Sequence, residues 1–249
     1  MKEWITGRNP VMEVVQAKRR QVFRLLLASG VEEKGRIADL LRVASTRRIP
    51  VDKVPREKID RLGENPQGVA AEVSAYPYVD LEDILDRANA LKEELFVLVL
   101  DVIQNPQNLG TLLRTAEAAG VHGVIIPQHR AAEVTPAVVT ASSGATEHML
   151  IAQGNISRSL EQLKTAGAWV VGLEGGEGAK NVTEVPLTGP IAVVVGNEGE
   201  GMRPLVRQSC DFLLALPMRG KIESLNAAVA GSIVIYQVLL ERQRKSQQH

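Results

Sequence analysis

The sequence predicts an α/β protein: a mainly parallel sheet in its larger, C-terminal part, preceded by a small α/β domain. Three observations carry that expectation. Apolar runs alternate with stretches of helical periodicity along most of the 249 residues. The runs after residue 95 are short, rich in β-branched residues and not interrupted by polar ones, the pattern of strands buried on both faces with helical crossovers between them. Charge divides the chain as well: residues 1–75 hold 15 Lys+Arg against 10 Asp+Glu and residues 76–249 hold 14 against 19, so a net charge of zero conceals +5 and −5.

In the N-terminal part the periodicity predicts a helix at "PVMEVVQA", a strand at "VFRLLLAS", a helix at "GRIADLLRVASTRR", a short strand at "IPVDKV", a helix at "REKIDRL" and a closing strand in "QGVAAEVSAY". Residues 1–75 thus form one compact domain. Residues 76–94 read as linker plus an acidic amphipathic helix, and residues 95–249 as the second domain. There the expected strands are "LFVLVLD", "GVIIP", "HMLIA", "AWVVGLE", "IAVVVGN" and "FLLALPM". The expected helices are "GTLLRTAEAAG", "TPAVVTASSG", "SRSLEQLKTAG" and the long final "LNAAVAGSIVIYQVLLERQ".

Composition removes several classes of function. A single cysteine, Cys210, forbids an intramolecular disulfide, and four histidines without ligand spacing argue against a metal site. No apolar run approaches the ~20 residues that cross a bilayer, and the N-terminus lacks a signal-peptide core, so a cytoplasmic protein without membrane contact is expected. The basic first segment suggests an anionic partner such as RNA, although a solvated surface of uneven charge would give the same balance.

Three strand ends run directly into polar or glycine-rich residues, and in parallel sheets ligands sit at such carboxyl ends. The first is Asp101 to Arg114, where Asn105, Asn108 and Gly110 interrupt the chain before a helix that carries Arg114 in its first turns. The second is "VVVGNEGEGM", in which glycines 196, 199 and 201 permit close approach and positive φ, and Glu198 is presented on the loop. The third is "LALPMRGKIESLN": Pro217 ends the strand and releases backbone groups around Leu216 and Met218, while Ser224 is expected to cap the last helix with Asn226 in its first turn. "GLEGGEGAKN" imitates a phosphate loop, but Lys180 lacks the flanking Gly and Ser/Thr, so it reads as a surface loop.

With the three motifs in this order, residues 95–243 resemble the SpoU (TrmH-type) family of RNA ribose 2′-O-methyltransferases, within the SPOUT superfamily. Residues 1–73 are similar to the L30e-like substrate-binding domain found in the branch that methylates a guanosine of 23S rRNA. The resemblance implies a deep trefoil knot at the C-terminal end of the catalytic domain, a homodimer whose interface borders the active sites, and S-adenosylmethionine as cofactor. It implies Gly196, Leu216 and Leu225 as cofactor contacts, with Met218 and Ser224 nearby, and Asn108, Arg114, Glu198 and Asn226 as the catalytic polar residues. A guanidinium is a poor base, so a role in holding the phosphate and ribose and steadying the developing oxyanion suits Arg114 better. DNA would lack the reacting 2′-hydroxyl. Three alternatives stay open: a tRNA guanosine 2′-O-methyltransferase, a non-catalytic RNA-binding module on the same fold, and a nicotinamide-dependent dehydrogenase, the last weakened by the missing dinucleotide fingerprint.

Overall fold

The computed structural model describes residues 2–129, 131–176, 178–185, 187–197, 199–221 and 224–247. They divide into two compact units: residues 1–77 with 133–148, and residues 78–132 with 149–249.

The first unit is built on a four-stranded sheet in the order β1-β4-β2-β3. Its elements are β1 (Lys2–Thr6), α1 (Arg8–Ala17), β2 (Val22–Ala28), α2 (Arg36–Thr46), β3 (Val51–Val54), α3 (Arg56–Asp60) and β4 (Val69–Ser74). All but β1 follow the apolar pattern. The sequence reading missed β1 because "KEWIT" opens with two charged residues; pairing with β4, from Lys2 opposite Ser74 to Thr6 opposite Ala70, makes it a strand. Ile5 and Thr6 are buried by that pairing.

Residues 133–148 complete this unit through a buried charge cluster. The Arg20 and Glu147 side chains are both 0% exposed. Arg20 Nε donates to Glu147 Oε2 at 3.1 Å, and Nη1 donates to Glu3 Oε2 at 2.8 Å and to the Ser74 carbonyl at 3.3 Å. Tyr76 lies under the Arg20 guanidinium and donates its hydroxyl to the Thr146 carbonyl at 3.0 Å. Burial pushes the Tyr76 phenol up to about 12 and holds the Glu147 carboxyl above its usual range, against the pull of Arg20.

The second unit holds a seven-stranded sheet in the order β7-β6-β5-β10-β8-β11-β9, with every pairing parallel. In chain order it comprises α4 (Leu81–Leu91), β5 (Phe96–Leu100), α5 (Pro106–Ala118) and β6 (Gly123–Pro127), and the chain then contributes α6 (Pro136–Ala141) to the first unit. It returns for β7 (Ile151–Gly154), α7 (Ile156–Thr165), β8 (Trp169–Leu173), β9 (Lys180–Asn181), β10 (Ile191–Val195), α8 (Pro204–Gln208), β11 (Phe212–Ala215) and α9 (Ala227–Ser246). Every residue of β5, β6 and β10 is buried, as uninterrupted apolar runs require. Ile84, Leu160, Leu163 and Val206 of α4, α7 and α8 pack on Val97, Val99, Val170 and Val194. Side chains alternate along a strand, so Val195 points to the opposite face, where α9 packs on β10 and on α5. Thr115 and Ser232 hydroxyls meet there at 3.0 Å. Burying each such Val or Leu contributes roughly 1.5–3 kcal/mol.

Among the described residues no helix is long and apolar enough to cross a membrane. The Cys210 thiol, half-buried beside Gly172, is pushed up to about 12 by burial.

His122, 1% exposed, closes the α5–β6 turn. The Phe96 N–H donates to its Nδ1 at 3.0 Å, so the ring proton sits on Nε2, 3.1 Å from Glu93 Oε2. Burial lowers the His122 pKa below its usual 6.5, outweighing Glu93. The unfolded chain therefore takes up this proton more readily, and the stability it supports is complete above 6.5 and lost as pH falls through that value towards the folded pKa. Urea midpoints measured from about pH 7.5 down to about pH 5.5 should fall over this window, and His122→Gln should flatten the fall; equal slopes for both proteins would remove His122 from the cause.

The Arg20 cluster gives a second expectation. Arg20→Met strands the buried Glu147 carboxylate and should cost about 3–5 kcal/mol in urea unfolding, while Arg20→Met with Glu147→Leu should regain most of the loss.

Candidate functional site

The carboxyl ends of β5, β10, β8 and β11 share one edge of the sheet, and the three polar strand ends meet there. At its centre is an ion pair that the sequence reading did not single out. Asp101, 0% exposed, follows β5 directly and accepts from the backbone N–H of Arg203 at 2.8 Å and from Arg203 Nε at 2.7 Å, with Nη2 at 2.6 Å. Its own N–H donates to the Val195 carbonyl at 2.8 Å, which ties the ends of β5 and β10 to the start of α8.

Beside this tie lies a cavity of about 350 Å³ walled by strand ends Leu173, Val195 and Leu214 and by residues of the loops that follow them. Gly196, Leu216, Met218, Ser224 and Leu225, the five expected cofactor contacts, all line it. Met218 and Leu225 are 40% and 41% exposed, apolar surface left open at a pocket mouth. A Cβ on Gly196 would lie 2.4 Å from the Gly201 carbonyl carbon, so only glycine allows the loop to fold back on itself. The approach that Gly196 permits is to the chain's own backbone rather than to a ligand alone. Of the three glycines read as free for positive φ, Gly201 alone uses it, at 70°.

Glu174 and Gly175 also line this cavity, and they belong to the stretch expected to be a surface loop. Glu174 instead extends the edge of β8: its carboxylate accepts from Arg207 Nε at 2.6 Å and from the Met202 N–H at 3.4 Å. Lys180 and Asn181 form β9 beside β11. The signal that marked the other sites, a polar residue straight after an apolar run, was present at Glu174 too.

The first polar strand end differs from its expectation in where the helix begins. Helix α5 starts at Pro106, with Asn105 as its N-cap accepting from the Gln107 N–H at 2.8 Å. Asn108 and Gly110 are therefore helical, and Arg114 stands in the third turn, about one turn farther in than expected. The start of the last helix is shifted as well. Asn226, not Ser224, is the N-cap of α9, its Oδ1 accepting from the Ala228 and Val229 N–H groups at 2.9 and 3.1 Å.

That cap fixes the amide. With Oδ1 occupied by the helix, Asn226 Nδ2 donates to Asn108 Oδ1 at 3.2 Å, which turns the Asn108 amide so that its Nδ2 faces the other way. Asn108 borders a small hollow of about 170 Å³ with Ile103, Gln104, Asn105 and Asn197. Asn108 and Asn226 are thus brought together next to the larger cavity. Arg114 is exposed, ~9 Å farther along α5 and about 120° around it from Asn108, and does not line either hollow. Glu198 lies outside the described residues.

Size, apolar walls and polar groups suit a nucleoside-like ligand that carries an aliphatic tail. The chemistry of the donor set fits S-adenosylmethionine: exposed thioether and leucine surface for the flat part, loop backbone for its polar edge, and Glu200 at the wall for positive charge.

Comparison with known proteins identifies the family of the chain. The SpoU rRNA Methylase family model matches residues 95–236, and a model described as RNA 2′-O ribose methyltransferase substrate binding matches residues 4–79. YacO of Bacillus subtilis (strain 168), named for the TrmH family of tRNA/rRNA methyltransferases, is 39% identical over 243 residues, 96% of each chain. A relative of the same family name from Staphylococcus aureus (strain COL) is 39% identical over 240 residues, again 96% of each chain. Among solved structures, the SpoU methyltransferase AviRb from Streptomyces viridochromogenes, in complex with AdoMet, superposes with TM-score 0.81 at 27% identity, over 98% of this chain and 91% of that one. The A. aeolicus TrmH/SpoU tRNA modifying enzyme superposes with TM-score 0.56 at 27% identity, over 67% of this chain and 86% of its own.

The two roles of Asn226 separate by substitution. Asn226→Ala loses the cap and should cost ~1 kcal/mol in urea unfolding, whereas Asn226→Asp keeps an N-cap acceptor and should stay within about 0.5 kcal/mol of the parent. Equal losses in both variants would mean that capping is not what Asn226 contributes.

Proposed function

Since the chain belongs to the SpoU rRNA methylase family, we propose that it is an S-adenosylmethionine-dependent RNA ribose 2′-O-methyltransferase, acting in the cytoplasm on a guanosine of 23S rRNA. The observation that carries this reading is the adjacency of two hollows on one sheet edge, one lined by all five expected cofactor residues and the other bordered by the Asn108–Asn226 pair. The basic residues 1–75, which the substrate-binding model at residues 4–79 largely overlaps, support RNA as the partner of the N-terminal domain, with residues 76–94 as linker and first helix and 95–249, apart from the 133–148 segment of the first unit, as the catalytic domain. The rRNA reading rests on that domain; a tRNA guanosine remains the alternative, since relatives are named for both RNAs.

Gly196, Leu216, Met218, Ser224 and Leu225 would hold S-adenosylmethionine, which supplies an electrophilic methyl group when bound. The chain's own residues then have to align a ribose O2′ and accommodate the loss of its proton. The Asn108–Asn226 pair, held by the Asn226 Nδ2 to Asn108 Oδ1 hydrogen bond, borders the hollow in which O2′ would be aligned. Arg114 grips the adjoining phosphate and ribose with its planar guanidinium, and Glu198 completes the polar set. The O2′ proton passes to water in the open cleft.

Arg114 reaches the reaction as part of a homodimer. The face of α9 turned inward is apolar, and so is the outer one: Val229, Ile233, Tyr236 and Leu240 are 38–46% exposed at spacings that form one stripe. A helix apolar on all sides wants a second partner, and the neighbouring α5 carries Arg114 one residue before Thr115, which touches α9. A second copy covering this stripe closes the cleft next to Arg114. The deep trefoil knot belongs to the same proposal, supported by the path of the chain from β11 back to α9 on β10 and α5.

Incubation with labelled S-adenosylmethionine and separated total RNAs should place the label on a guanosine of 23S rRNA; label confined to tRNA would select the alternative, and none at all would refute the enzyme. Arg114→Ala should lower single-turnover methyl transfer on the order of a hundredfold or more with cofactor binding unchanged by calorimetry. Arg114→Lys should fare nearly as badly, because lysine keeps the charge without the planar fork. Activity within threefold of the parent in both would sink this role. Tyr236→Asp should give a monomer by sedimentation with activity lost, against a parental dimer of the 27.0 kDa chain.

A further inference from the structure

A second hollow of about 690 Å³ opens on the same sheet edge, over the carboxyl ends of β6 and β7. Pro127, His129, Asn155, Ser157, Arg203 and Leu205 are among its lining residues, and none of them has a part in the reaction described above. Two features mark it as more than a surface irregularity. Arg203 is held rigid by two guanidinium contacts and one backbone contact to the buried Asp101, all at 2.8 Å or less, and its Nη1 has no partner among the described residues. Leu205 is 70% exposed, the most exposed of the large hydrophobic side chains in the described residues, and sits two residues on from that arginine.

An immobilised guanidinium with donors to spare, an imidazole, two small polar side chains and an uncovered aliphatic surface make a site for one unpaired nucleotide. Bases of single-stranded RNA stack on arginine and histidine planes, and the phosphate takes the remaining N–H groups. Position strengthens the case. In the strand order β7-β6-β5-β10, this hollow lies about two strand spacings, ~10 Å, from the Asn108 cleft between β5 and β10. The occupant is then a near neighbour of the acceptor on the same strand, and Arg203, through Asp101, ties its subsite to the floor of the acceptor cleft. We infer that the hollow at Arg203 and Leu205 is a subsite for a single-stranded nucleotide flanking the methylated one, an inference that rests on the RNA-methylating reading of the neighbouring cleft.

The test uses the full-length protein and an in vitro 23S rRNA transcript containing 4-thiouridine. Leu205→Asp and Ser157→Glu put negative charge into the hollow without touching the Asp101–Arg203 pair, and Leu91→Asp, 52% exposed on α4, is the surface control. Both subsite variants should weaken filter binding of the transcript and raise its KM by about tenfold or more, with kcat within about threefold and calorimetric cofactor binding unchanged; the control should match the parent. Photocross-links should map to peptides containing residues 127–129 or 203–206. Binding and KM within about twofold of the parent in both variants, or cross-links only elsewhere, would overturn the subsite. Failure of the parent itself to methylate the transcript would count against the proposed reaction instead, and because filter binding and cross-linking need no methyl transfer, the two readings fail separately.

Discussion

The Asp101–Arg203 pair is the contact on which the working edge of this molecule depends. A carboxylate with no solvent exposure has to be compensated completely, and here three donors of one residue supply that. Because Asp101 is also bonded through its backbone to the end of β10, the pair fixes the ends of two central strands and the start of α8 as one rigid group. The cavity lined by Gly196 and Leu216 lies towards β8 and β11, the Asn108 hollow at the tie between β5 and β10, and the Arg203 hollow over β6 and β7. The strand ends from which their loops depart are therefore held at a fixed spacing by the sheet and one buried ion pair.

The same economy appears at the N-terminus of α9. One asparagine satisfies two orphan amides of the helix, and in doing so selects the orientation of a second asparagine on another helix. Capping and the orientation of a neighbouring amide are thus one event, and a residue expected inside the first turn, as one of the polar site residues, turns out to be the cap itself. Gly196 is similar: its missing side chain serves loop closure, and the closed loop forms the cavity wall.

Much of the fold was legible because parallel strands buried on both faces write themselves as uninterrupted apolar runs, and β5, β6 and β10 do so. The residues that line the cavity were legible because polar residues break those runs at their ends. What escaped depends on partners far away in sequence. The strand Lys2–Thr6 has only two strongly apolar residues and exists through β4. Asp101 and Arg203 are separated by 102 positions with no spacing to join them. In "ESLN" both Ser224 and Asn226 are good caps, and only the backbone path chooses between them. "PQN" begins a helix with proline at its first position, yet reads equally well as a turn, which is why α5 starts earlier than its apolar periodicity.

The buried cluster around Arg20 sets a timetable for synthesis. Its partner Glu147 lies 127 residues downstream, so the first unit cannot finish folding when its own 77 N-terminal residues have left the ribosome. Until residues 133–148 emerge, an arginine destined for complete burial stays hydrated and the sheet has an unfinished surface. By then β5, α5 and β6 have also been made. The first unit therefore reaches its final form only when part of the second already exists, and a nascent chain does not present a finished N-terminal unit without the beginnings of the other.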